Sequence, residues 1–168
     1  MARGLNGQPC MSSKPDEQPV NLRAVYLLAF GIGLAVAGCT AQNPASTVVA
    51  RQFDESKGTL VDLSSAIPGQ WERVCILGPY SENTAAKKAL GFEWNVEANS
   101  TISRNDGISL LIFVQDNKVV SFIEHSRRHG DFSNLTTRCF TRQAARFHQV
   151  AKPIKGWPGL FPIADHPS

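Results

Sequence analysis

The chain has 168 residues, with 17 Lys and Arg against 14 Asp and Glu, giving a formal net charge of +3. That length suits about one domain with a real core, while 42% hydrophobic and 18% charged residues exclude a disordered chain. With 13 Gly and 10 Pro a collagen-like chain is excluded, and the positive balance is too small to argue for nucleic acid as a partner.

The first feature along the chain is an uncharged apolar run, Ala24 to Ala37 (AVYLLAFGIGLAVA), preceded by Arg23 and ended by Gly38-Cys39. It falls short of the roughly 20 residues a helix needs to cross a bilayer and suits the apolar region of a secretory signal. Its end, Val36-Ala37-Gly38-Cys39, resembles the lipobox of bacterial lipoprotein precursors, and the resemblance covers residues 23–40. It implies that the Cys39 thiol receives a diacylglyceryl group, that a signal peptidase cuts between Gly38 and Cys39, and that the new amine is acylated. Residues 1–38 would then be a signal peptide that is removed. Thr40, where Asp would signal retention in the inner membrane, implies a lipid anchor in the outer membrane, facing the periplasm. Two or three acyl chains make a stable anchor where one would not. The stretch ahead of the run is long and carries Asp16 and Glu17; a start at Met11 would shorten it without changing the mature chain. Gly31-x-Gly33 lacks the third glycine, the preceding strand and the acidic partner of a dinucleotide fingerprint.

Residues 39–58 read as the lipidated cysteine and a flexible tether, small and polar over 40–52, reaching roughly 20 Å as coil and about 40 Å extended. Residues 59–150 read as the folded unit, because no proline occurs from Tyr80 to Lys152, and 151–168 as a proline-rich tail. Within the unit, Trp71 to Leu77 alternates as a strand and stops at Gly78-Pro79. Ser81 suits an N-cap for a helix from Glu82 to Leu90, with Lys87 and Lys88 near its end and Gly91 as the C′ residue. Ile108 to Gln115 and Lys118 to Glu124 are β-rich and joined by Asp116-Asn117, a two-residue hairpin signal. A second helix is expected from Arg142 to Val150, capped by Thr141. The order β-α-β-β-α gives an α+β fold, a small antiparallel sheet with one or two helices packed on it.

With Cys39 committed to lipid, Cys75 and Cys139 remain as an even pair in an exported domain, which argues for a disulfide. The bond would be worth up to roughly 4 kcal/mol in the chain-entropy model and would place its two segments side by side. The spacing is unlike CxxC, so neither redox exchange nor zinc is indicated.

The most polar cluster runs from Glu124 to Asp131 (EHSRRHGD). One reading lets His125, His129 and Asp131 share a metal, although Gly130 breaks the helix that would make the two imidazoles converge. Another makes Arg127, Arg128 and His129 an anion-binding patch for phosphate, lipopolysaccharide or cell-wall carboxylates. A solvated loop, with Asp131 capping a turn and Phe132 returning to the core, stands beside both. There is no GxSxG, and no base is visible for Ser81. Glu93 and Glu97 beside Trp94 resemble a sugar-cleaving carboxylate pair only in spacing, and Trp among Phe92 and Val96 reads as core. Asn134-Leu-Thr136 and Asn99-Ser-Thr101 match the glycosylation sequon, which is uninformative in bacteria, where the lipobox resemblance would place the chain. The tail sets Trp157 and Phe161 among prolines; it docks on another envelope protein, folds back over an open sheet face, or stays disordered.

No cofactor motif is present. The expectation is a lipid-anchored cell-envelope lipoprotein, a non-catalytic binding or structural module whose partners are the membrane, through the N-terminal lipid, and an envelope protein or cell-wall ligand. The alternative is a small periplasmic enzyme or a metal- or anion-binding protein using His125, His129 and Asp131.

Overall fold

The computed structural model describes residues 44–163. Residues 1–43, with the expected signal segment, its expected cleavage site at Gly38-Cys39 and the expected lipid site Cys39, and residues 164–168 of the tail lie outside the described residues. Strands β1 (Leu60–Asp62) to β7 (Gly159–Pro162) form two antiparallel sheets, joined by four α-helices into an α+β fold. The four-stranded sheet has the order β4-β3-β2-β5, from β2 (Arg73–Leu77), β3 (Ile108–Gln115), β4 (Lys118–Ser126) and β5 (Arg138–Thr141). Its two inner strands are nearly continuous apolar runs because both of their faces are covered.

On one face, Cys75, Leu77, Leu110, Ile112 and Val114 meet the short helices α3 (Asn83–Leu90) and α4 (Val96–Asn99). On the other, Val74, Ile76, Leu111, Phe113, Ile123 and Phe140 share a core with the second sheet. That sheet has the order β1-β6-β7, where β6 is Arg146–Val150. Helices α1 (Pro44–Glu55) and α2 (Leu63–Ala66) complete this side.

The β3–β4 hairpin forms at Asp116-Asn117, both at positive φ (49° and 54°), as a two-residue turn of the primed type requires. A bulge follows: Phe113 faces Ser121 while Val114 faces Val119, which leaves Val120 as the extra residue, 49% exposed. Helix α3 ends on Gly91 at φ 82°, in the C′ position. Its start is one residue later than the sequence suggests. Ser81 donates to the Gly78 carbonyl (2.8 Å), and the cap comes from elsewhere: a Glu97 carboxylate oxygen accepts from the Asn83 N–H at 3.1 Å.

Three expectations are corrected. Residues 44–55 are a helix, not flexible tether: Pro44 opens it, and Ala45, Val48, Val49 and Phe53 make a narrow apolar stripe that docks on the core, with Val49 fully buried. The Gln52 side-chain oxygen also accepts from the Asp62 N–H at 2.6 Å, satisfying a free edge of β1.

The helix expected over 142–150 is a turn followed by strand β6. Phe147 inserts between Phe132 (ring centroids 5.2 Å apart) and Phe140 (5.1 Å), while Arg146 and His148 face out, a strand alternation that long-range pairing enforces. Thr141 closes β5 instead of capping a helix. Arg142 lies over the Trp71 ring at 4.7 Å and donates to the Gly69 carbonyl at 2.6 Å.

The folded unit therefore reaches beyond 59–150 at both ends. The tail returns to the body as an edge strand: β7 pairs with β6, Leu160 is buried, and Phe161 faces His148 in register.

Cys75 and Cys139 are disulfide-bonded. They stand directly opposite one another on β2 and β5 with Cα atoms 4.0 Å apart, the close spacing of a non-hydrogen-bonded pair. Cys75 is buried, whereas Cys139 on the edge strand is exposed.

Candidate functional site: a charged cleft beside helix α1

An open cleft of about 1020 Å³ lies between α1, the outer half of β4 and the segment 97–104. Its chemistry is set by Arg51, Asp54, Arg104, Glu124, Arg128 and His129. The cleft exists because β4 leaves its sheet at Ser126 into a single 3-10 turn, Arg127–His129, closed by Gly130. Gly130 sits at φ 113°, and a Cβ there would lie 2.7 Å from Leu160 Cδ1, so this exit is open only to glycine.

The turn sends neighbouring side chains in different directions. Arg127 is held at both terminal nitrogens: Nη1 donates to the Asp106 carbonyl and Nη2 to Asp131 Oδ2, both at 2.7 Å. Burial alone would raise the Asp131 carboxyl, but the Arg127 guanidinium and the Ser133 hydrogen bonds outweigh it and hold the carboxyl below its ordinary value. His129 turns into the cleft, its Nδ1 3.0 Å from Asp54 Oδ1 on α1. Arg128 is exposed on the cleft wall.

His125 points the other way, into the core shared by the two sheets. It is fully buried, edge-on to Phe132 (5.6 Å), and its Nε2–H donates to the His129 carbonyl at 2.9 Å. Burial lowers its pKa from 6.5 to about 4, so it is a neutral core histidine near neutral pH. His125, His129 and Asp131 therefore do not share a point of approach. Among the described residues no group of three His, Cys, Asp or Glu is placed to hold a metal. Of the expected anion patch, Arg128 and His129 share the cleft, while Arg127 is spent on Asp131 outside it.

The carboxylates of the cleft are engaged. Asp54 meets His129, Glu55 lies 3.9 Å from Arg51, Glu97 caps α3, and Glu124 accepts from the hydroxyl and N–H of Thr101. Among the described residues, Arg104 and Arg128 pair with no carboxylate. Two exposed guanidiniums lining one cleft suit an oxyanion such as a carboxylate or phosphate. Sequence reasoning missed Arg104 and Asp54, because only tertiary packing brings the segment 97–104 and helix α1 to the end of β4, beside Arg128.

The other singled-out residues have separate roles. Glu93 pairs with Lys87 at 2.6 Å and raises its pKa, Glu97 serves α3, and Trp94 packs against Phe122 with ring centroids 5.4 Å apart. Ser109 Oγ and His125 Nδ1 belong to residues that face each other in register. Both atoms are buried and lack a hydrogen-bond partner among the described residues. Both residues are closed off inside the core, so this Ser–His couple has no access to a substrate. No protein-family model, curated protein or solved structure matches the chain.

Proposed function

We propose that the chain is a lipid-anchored protein of the bacterial cell envelope, facing the periplasm from the outer membrane, whose body is a non-catalytic binding module. The observation that carries this reading is the Cys75–Cys139 disulfide, a bond that persists in exported proteins and is rare in the cytosol. It agrees with the apolar run that ends in Val36-Ala37-Gly38-Cys39. In the mature protein, only residues 40–43 would separate the lipidated Cys39 from α1, which holds the body close to the bilayer. The cleft beside α1 would receive an anionic group of a cell-wall peptide or an envelope partner at Arg104 and Arg128.

The test is an intact mass of the chain extracted from its native membrane, alkylated with and without prior reduction. The expected species begins at Cys39, is heavier by two or three acyl chains, and gains two alkyl groups only after reduction. A mass equal to the unprocessed chain, or thiols that alkylate without reduction, would overturn the reading. For the cleft, Arg104→Ala with Arg128→Ala is expected to weaken capture of cell-wall carboxylates at least tenfold, by affinity measured on isolated cell wall; unchanged capture would exclude this site.

A further inference from the structure

The β6–β7 connection, residues 151–158 (AKPIKGWP), presents the two most exposed large apolar side chains of the described body. Ile154 is fully exposed and Trp157 is 75% exposed. Their exposure does not come from a loose backbone. Asn134 holds the loop by both ends of its amide, Nδ2 donating to the Trp157 carbonyl (2.7 Å) and Oδ1 accepting from the Trp157 N–H (3.0 Å). Gly156, at φ 86°, packs so closely on Asn134 that a Cβ would lie 2.5 Å from Oδ1. The fold thus fixes the main chain at Trp157 while leaving the loop's two large apolar side chains in water.

The charge carried by this stretch of chain has one sign. From Arg142 to Ile163 the chain has no Asp or Glu, and Lys152 and Lys155 flank Ile154, with no carboxylate partner among the described residues. Interleaved Lys, Ile and Trp on one loop is poorly suited to a protein interface, whose buried centre is depleted in Lys. A dissolved polyanion would engage the lysines but leave Ile154 in water. One surface takes all four side chains together: an anionic phospholipid bilayer, with Trp157 at the headgroup level, Ile154 at the acyl boundary and the lysines on phosphates.

We infer that the Lys152–Trp157 loop is a peripheral membrane-contact site for anionic phospholipid. It requires no lipid on Cys39 and so stands apart from the anchor proposed above. The test reconstitutes the full chain into phosphatidylcholine vesicles with and without phosphatidylglycerol, with brominated acyl chains that quench tryptophan only on entry into the bilayer. Trp71 is buried and Trp94 half-buried, so Trp157 is the exposed indole.

In phosphatidylglycerol vesicles, bromine quenching is expected to fall several-fold in Trp157→Phe. It should fall similarly in Lys152→Glu with Lys155→Glu, a variant that keeps the indole. Quenching that is absent, that is unchanged in Trp157→Phe, or that is equal with and without phosphatidylglycerol overturns the inference. So does protection of Trp157 from a water-soluble quencher without bromine quenching, the mark of a protein or a dissolved polyanion. Flotation with vesicles after a high-salt wash reports the N-terminal anchor separately. Flotation without Trp157 quenching overturns the loop contact alone; Trp157 quenching without salt-resistant flotation overturns the anchor alone.

Discussion

His125 couples the core to pH. Above its unfolded pKa of 6.5 it is neutral whether the chain is folded or not, and it adds no pH dependence. As pH falls from 6.5 toward about 4, the unfolded chain takes up the proton and the folded chain does not, so stability declines. The loss approaches about 3 kcal/mol once the folded pKa is passed. Chemical denaturation followed across this window is expected to show that slope and to lose it in His125→Gln, which cannot titrate. The Asp131 contribution is lost at lower pH, below the ordinary carboxylate range, and survives in that variant. A second residue-scale expectation concerns Asn134→Ala, which removes both bonds to Trp157 at a local cost of about 1 kcal/mol. Trypsin should then cut after Lys155 several-fold faster, with little change in global stability. At this scale the sequence was only partly legible. Arg127, Arg128 and His129 stand as one basic run, and the run alone does not say that a turn ending at Gly130 would send the first to Asp131 and the other two into a cleft.

Helix α1 shows what local signals convey and what they omit. Its apolar stripe is narrow and its composition small and polar, so it has little reason to form alone; docking Val49 into the core is what stabilises it. Val49→Ala is expected to cost about 2 kcal/mol, and Val49→Asp to undock the helix, seen as fast amide exchange over 44–55. The β3–β4 hairpin and helix α3 were legible because their punctuation is local: Asp116-Asn117 at positive φ, and Gly91 in the left-handed region. Strand β6 was not. Thr141 followed by Arg142, Ala144, Ala145 and Phe147 fits a capped helix, and the strand prevails only because Val61 and Pro162 bracket Phe147 from two strands distant in sequence. That the tail folds back was one of the readings of the sequence; that it does so as an edge strand was hidden for the same reason. A proline at a sheet edge is tolerated because its missing N–H faces no partner, so Pro162 does not forbid a strand there.

At the scale of the whole molecule, the disulfide sorts the chain by topology. Sheet β4-β3-β2-β5 and helices α3 and α4 are built from the segment that Cys75–Cys139 closes, with only the outer ends of β2 and β5 beyond it. Sheet β1-β6-β7 and helices α1 and α2 are built from the two segments outside it. Replacing both cysteines by Ala is expected to cost up to roughly 4 kcal/mol, measured as a lower denaturant midpoint. The sorting also has a mechanical consequence. A load applied to the two chain ends would run through β1, cross from Cys75 to Cys139 through sulfur, and leave by β6 and β7. The four-stranded sheet would thus be almost wholly spared from tension. Stretching a single molecule should extend only the outer segments while the bond is intact. Reduction should release a further length of roughly 200 Å, the reach of the 64-residue separation.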